Sequence, residues 1–329
     1  MHPVRFGIFI VPNDVAAVQA AAQRAERDGF YSVSVNDHFF SPLGTAQSPQ
    51  LECFTALTAI AAVTSRVRLV PAVAAISFRT PALLAKIMTS LDLVSRGRFT
   101  AGLGAGWQPT EYHAHGYPFP PTKVRLEQLD ETIQVLKAMW TQPEPTFHGR
   151  HFRIEKAYNH PRPAQTPHPP IMLGGSGTGL LRIAAREASI INLIPPTGDG
   201  KDFVNDPAAT VKFDLPTLQQ RIALLHRFMR EAGRDPQEME LGGLALLGLS
   251  RDATDPALRQ LASGLGFPDY ATAQASPVAL LGTPEEVTRT LHTRIRETGV
   301  TYYILVPSSE ESQDLFVREV MPAFADPRT

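Results

Sequence analysis

Residues Phe99–Tyr112 read FTAGLGAGWQPTEY, a short apolar run that breaks into Gly102, Gly104 and Gly106 and then into aromatic and polar side chains. Such a pattern marks a buried strand that opens directly into a site, because glycine admits unusual dihedrals and lets a flat ligand approach the backbone closely. Trp107 and Glu111 would stand at the rim of that site. Toward the N-terminus, Arg5–Val11, Tyr31–Val35 and Val67–Ala75 are further short β-branched or apolar runs, with helical patterns between them. The order is strand, helix, strand, helix, which predicts a parallel sheet covered by helices.

Helix signals agree with that order. Thr80 and Pro81 make an N-cap and first turn, Leu84, Ile87, Met88, Leu91 and Val94 form a stripe, and Gly97 is a stop. In the next helix Leu126, Leu129, Ile133, Leu136 and Trp140 recur at helical spacing before Pro143, and are read as core rather than site. Toward the C-terminus, Pro170–Leu173, Ser189–Ile194, Met239–Leu247 and Tyr302–Val306 bring the strands to eight. Thr283, Pro284 and Glu286 make a capping box whose helix closes at Gly299, just before the last strand. Eight βα units predict a (β/α)8 TIM barrel of the α/β class. A doubly wound Rossmann sheet is the rival, but VPNDVAAV follows the first strand in place of a Gly-rich phosphate turn. The expected organisation is one barrel domain over residues 1–329. Two inserted loops interrupt it, 141–170 after the fourth βα unit and 195–214 after the sixth strand, both read as lids or binding loops.

Composition narrows the function. The chain has 329 residues, 43% of them hydrophobic and 19% charged, and a formal net charge of -1. It lacks the basic excess of a nucleic-acid binder. The N-terminal apolar run is too short for a signal segment or a membrane span, so a cytoplasmic protein with no membrane partner is expected. Cys53 is the only cysteine, which excludes an intrachain disulfide and points to a core thiol.

Polar residues at the strand ends carry the chemistry. After the second strand come Asn36, Asp37, His38, Phe39 and Phe40. His38 can serve as a general acid or base, with the adjacent carboxylate or a backbone group fixing its tautomer. After the fifth strand, LGGSGTG places Gly174, Gly175, Ser176 and Gly177 before a helix from Leu180 to Ala188. Backbone N–H groups at such a helix start make an anion site, and glycine lets a phosphate come close. His113 and His115 lack carboxylate partners beyond Glu111 and are read as a loop, so no metal is expected. No nucleophile elbow and no P-loop lysine is present.

Taken together, RFGIFI, VNDHF, FRTPALLAK, GRFTAGLGAGWQPTEYHAHGYPF, VLKAMW, RPAQTPHPPIMLGGSG and LGTPEEV resemble the luciferase-like monooxygenase superfamily of flavin- and deazaflavin-dependent barrels over nearly the whole chain. The resemblance implies a homodimer of TIM barrels acting on a small-molecule substrate. A flavin or deazaflavin ring would sit at the barrel mouth, with its phosphate at Gly174–Gly177. It implies that Asp37 and His38 face the ring, with His38 catalytic alongside Trp107 and Glu111 at the rim. It also implies a non-prolyl cis peptide at Ala72–Val73 that backs the ring beside Gly104. The cofactor expected is the deazaflavin coenzyme F420, with FMN as the alternative. The reaction is hydride transfer to or from a small organic substrate, against an FMN-dependent monooxygenase or a flavin-binding barrel without turnover. Arg150, His151, Arg153, Lys156, His160 and Arg162 could meet the polyglutamate tail that only the deazaflavin carries, and a solvated charged loop explains them equally well. Pro42 and Trp107 replace the tryptophan and glutamate of the family's sugar-phosphate dehydrogenases, which argues against that reaction.

Overall fold

The computed structural model describes residues 2–42, 45–196 and 207–325. Its strands are β1 (Arg5–Phe9), β2 (Ser32–Val35), β3 in two pieces (Arg68–Pro71 and Ala74–Ala75), β4 (Ala101–Gly104), β5 (Ile171–Gly174), β6 (Ile190–Leu193), β7 (Glu240–Leu249) and β8 (Tyr302–Pro307). Every pairing among them is parallel. β1 lies between β2 and β8, and the order continues from β8 through β7, β6 and β5 to β4. The ring closes at β3, whose first piece pairs with β2 and bridges Leu69 to Phe99, and whose second piece pairs Ala74 with Leu103. This is the expected TIM barrel.

Besides a short hairpin in the segment 141–170, one strand of the main sheet lies outside the sequence reading. Ala279–Gly282 runs parallel to the far end of β7, from Leu246↔Ala279 to Leu249↔Gly282. At ten residues β7 is the longest strand, and its end projects beyond its barrel neighbours. Its backbone groups there need partners, which the extra strand supplies.

Inside the barrel Val70, Met172, Ile190, Leu244, Tyr302 and Ile304 pack as one cluster. The Ser32 and Tyr302 hydroxyls meet there at 2.6 Å. A second, larger core lies between sheet and helices. Its helices are capped much as their sequences predict. Thr283 and Glu286 form the capping box of helix Pro284–Thr298, and Gly299 ends it with φ 72°. Helix Pro81–Val94 buries Leu84, Met88 and Leu91, but Val94 is half exposed and not part of the stripe. Trp140, on helix Thr122–Thr141, donates its indole N–H to Thr89 and joins the two helices. Cys53 opens helix Cys53–Ala61 and is fully buried, and that burial pushes its thiol up well above the ordinary range. No helix among the described residues is long and apolar enough to cross a membrane.

Candidate active site at the barrel mouth

A cavity of about 520 Å³ opens where the strands end, lined by residues from the ends of β1 to β8 and the loops that follow them. In a TIM barrel this is the end at which loop variation builds sites. The cavity brings together Asp37, His38, Ala72, Val73, Gly104, Trp107, Glu111, Gly174, Gly175, Ser176 and Gly177.

The loop after β2 is fastened from below. Glu111, 1% exposed, accepts from the backbone N–H groups of Phe39 and Phe40, the latter at 3.2 Å, and its other oxygen lies 2.9 Å from His38 Nδ1. With a carboxylate oxygen as acceptor, the hydrogen resides on Nδ1 and Nε2 is left to face a ligand. Trp107 packs edge-on against the His38 ring, centroids 5.5 Å apart. The partner that fixes His38 is therefore Glu111, 73 residues away, and not the adjacent Asp37. Short helix Pro109–Ala114 delivers it, turning Glu111 inward one turn after the glycine-rich strand end.

Asp37 does different work. Its carboxylate takes both Arg79 Nη groups at 2.8 and 2.9 Å and the Ala75 N–H at 2.9 Å. Burial pushes this carboxyl up from the ordinary aspartate range, against the pull of Arg79 and the Ala75 N–H. Arg79 also meets Glu52 and lies over the Phe54 ring. Asp37 thus ties the end of β2 to the segment after β3. Arg79 belongs to the FRTPALLAK stretch, where the sequence reading used only the helix start.

Between the two pieces of β3, the Ala72–Val73 peptide is cis and its residues face the cavity. Val73 sits between two glycines. A Cβ on Gly104 would lie 2.5 Å from one Val73 methyl, and a Cβ on Gly174 would lie 2.8 Å from the other. A Cβ on Gly102 would strike the Pro71 carbonyl oxygen. Gly102 and Gly104 thus admit the β3 segment, and Gly104 lines the cavity as well. Only Gly106 of the three has a left-handed backbone, φ 78°, with Tyr112 packed against it.

Across the cavity two helix starts converge. Gly177, Thr178 and Gly179 open helix Thr178–Glu187, while Thr122, Arg125 and Leu126 lie in the first turns of helix Thr122–Thr141, and all six line the cavity. A Cβ on Gly179 would lie 2.6 Å from a Leu126 methyl, so the two starts touch. First-turn N–H groups have no intrahelical acceptor, so this wall presents donors. Arg125, 4% exposed, donates to the Pro120 carbonyl at 2.7 Å and lies over the Phe119 ring. Its signal in the sequence was a basic residue beside a core stripe. Leu126, read as core, packs against the core and also lines the cavity. Asn192 interrupts the apolar β6, faces the same cavity, and its side-chain oxygen is buried without a partner among the described residues. A cradle of donors, an orphaned buried polar atom and a volume within the range of small-molecule sites fit a phosphate-bearing planar cofactor.

The two inserted segments differ from expectation. No residue of 141–170 lines the cavity. This segment follows a helix and leads into the start of β5, while the tip of its hairpin folds back beside Glu127 and Glu131 of helix Thr122–Thr141, the helix whose start lines the cavity. Its hairpin of Phe147–His148 and Arg153–Ile154 spends its cations locally. Arg150 and His151 contact Glu127, Arg153 meets Glu155, Lys156 meets Glu144, and Arg162 donates to the carbonyls of Met139 and Gln142. His160 contributes its carbonyl to Lys86. None of these residues lines the cavity, and their contacts with carboxylates and backbone carbonyls fit the charged-loop reading of 141–170. In 195–214, Pro196 lines the cavity, residues 197–206 lie outside the described residues, and Pro207–Lys212 is a helix.

The profile of the family described as luciferase-like monooxygenase matches residues 4–278. The FMNH(2)-dependent dimethylsulfone monooxygenase of Pseudomonas putida is 32% identical over 173 residues, 53% of this chain and 47% of that protein. The F420-dependent glucose-6-phosphate dehydrogenase of Kineococcus radiotolerans is 31% identical over 186 residues, 56% of this chain and 53% of that protein. The chain thus spans about half the length of these curated relatives. A solved F420-dependent secondary alcohol dehydrogenase, in complex with an F420-acetone adduct, superposes with a TM-score of 0.78 at 22% identity, covering 99% of this chain and 100% of that one. This last likeness concerns the fold.

Proposed function

The chain belongs to the luciferase-like monooxygenase family, and from that premise we propose that it is a coenzyme F420-dependent oxidoreductase that moves a hydride to or from a small organic substrate. The family includes F420-dependent and FMN-dependent members. The observation that carries the reading is the division of the cavity. His38 stands tethered to Glu111 on one side, and two helix starts with Arg125 stand on the other.

The deazaflavin supplies the hydride chemistry when bound. The protein's own work is positional and protonic. The first-turn N–H groups and Arg125 would hold the phosphate, and the wall of Ala72 and Val73 would back the ring. Hydride transfer demands close stacking of the reacting carbons and exclusion of water. Phe9, Leu244, Leu246 and Val306 give the cavity an apolar floor for that purpose. His38 Nε2 accepts the substrate hydroxyl proton as a hydride leaves its carbon, or returns that proton when the substrate is a carbonyl. Pro42 and Trp107 flank this position and offer no charged group for a sugar phosphate.

The second reading, an FMN-dependent monooxygenase, rests on the same donor wall, which suits either phosphate. Titration of the purified protein with F420 and with FMN, followed by fluorescence quenching, separates the two. Tight, selective F420 binding is the expected result, selective FMN binding moves the protein to the monooxygenase reading, and binding of neither overturns both.

A further inference from the structure

A second cavity, of about 550 Å³, shares no lining residue with the first. It lies on the outside of the barrel, among the start of helix Leu215–Glu231, the short helix Tyr270–Ala275 and helix Pro284–Thr298. Its charge is unbalanced. Arg294, 4% exposed, donates to the carbonyls of Ala279 at 2.9 Å and Gln274 at 2.7 Å, and makes no ion pair among the described residues. A guanidinium taken out of water without a carboxylate is costly, and burial pulls Arg294 down to about 10. Arg289 lines the same cavity and is held only by the exposed Glu285 of its own helix, at 3.8 Å. Asp214 is the one acidic lining residue, and it already caps its helix by accepting from the Thr217 N–H at 2.8 Å.

Ser276, 4% exposed, adds a second, independent observation, since its hydroxyl is buried with no hydrogen-bond partner among the described residues. Two guanidinium groups and an orphaned hydroxyl on one cavity are the donors that an oxyanion takes up. We propose that this cavity binds a small oxyanion, the carboxylate or phosphate of a metabolite, with Arg294 and Arg289 balancing its charge and Ser276 donating to it. Leu215 and Pro216 give the ligand's carbon skeleton an apolar edge. This site is independent of the cofactor reading of the barrel mouth.

The test is thermal melting of the full chain with inorganic phosphate or with succinate, against sodium chloride at matched ionic strength. A saturable rise in melting temperature with one of the two is expected, and the one that acts names the chemistry. Arg289→Ala and Ser276→Val should each weaken half-saturation by about fivefold, the weight of one hydrogen bond, while Arg125→Gln at the barrel mouth leaves it unchanged. Both variants should also bind F420 or FMN as the parent does, which guards against general misfolding. Shifts no larger than those from sodium chloride, or shifts abolished by Arg125→Gln and kept in both other variants, would overturn the proposal.

Discussion

His38 Nδ1 lies 2.9 Å from Glu111 Oε2, and the same carboxylate holds the backbone of Phe39 and Phe40. One buried side chain therefore sets both the tautomer of the histidine and the shape of the loop that carries it. The two functions can be separated. His38→Ala should leave cofactor binding close to the parent and lower turnover by roughly 10²-fold, the usual weight of a general acid or base. Glu111→Ala should also lower turnover, but in addition destabilise the fold by about 1 to 3 kcal/mol, because two half-buried N–H groups lose their acceptor. Urea unfolding of the two variants tells them apart, and equal stabilities would show that Glu111 does not hold the loop.

Val73 is clasped by Gly104 and Gly174, which come from different strands. Gly174→Ala places a methyl 2.8 Å from a Val73 methyl, inside contact distance. Overpacking of this kind costs about 1 to 3 kcal/mol. Val73→Ala removes the obstruction, so in the double variant the two losses should sum to less than their separate values by about 1 kcal/mol or more. Strict additivity in chemical denaturation would mean that Val73 is not the neighbour that requires the glycine.

Much of this was legible in the sequence because the barrel repeats a local rule. Short apolar runs alternate with capped amphipathic helices, and eight repeats admit few topologies. Position along the strands also placed His38, Trp107 and the Gly174–Gly177 loop at one end. Partnerships across the fold were hidden. Nothing local to Glu111 points to His38, and nothing in the adjacency of Asp37 and His38 warns that Asp37 turns to Arg79. The basic insertion is a related case. Its charges were visible, but the acidic residues of helix Thr122–Thr141 that absorb part of them lie in another stretch of chain. Beside Gly102 the Pro71 carbonyl fills the space a Cβ would take, and beside Gly104 a Val73 methyl does, a packing requirement that the sequence pattern did not reveal.

Glu26 gives the fold an acid-sensitive joint. Burial acts to raise its carboxyl, but the N–H groups of Arg66, Ser65 and Val67 and the Ser65 hydroxyl outweigh that and bring it from 4.5 to about 2. A carboxyl depressed on folding adds stability above its unfolded value, and that gain is lost as pH falls through the folded value. Glu26→Gln should therefore melt below the parent at neutral pH, and the gap should close between pH 4.5 and about 2. The group is largely exposed, so the effect is modest. Melting temperatures of both proteins across that range check it, and a gap independent of pH would assign the difference to shape instead of charge.

Arg125 faces the cavity from a helix start that touches the Gly177–Gly179 turn. If the phosphate of the cofactor rests between these two helix starts, the guanidinium contributes a charge-assisted hydrogen bond that a neutral ligand cannot use. FMN and riboflavin differ by that phosphate and so isolate its share of affinity. Arg125→Gln should weaken FMN by about tenfold or more, in line with 1.5 to 3 kcal/mol for a hydrogen bond to a charged group, and leave riboflavin nearly unchanged. Fluorescence titration of both ligands against both proteins gives the four constants required. Equal weakening of FMN and riboflavin would mean that Arg125 shapes the cavity wall through its contacts with Pro120 and Phe119 and does not meet the phosphate.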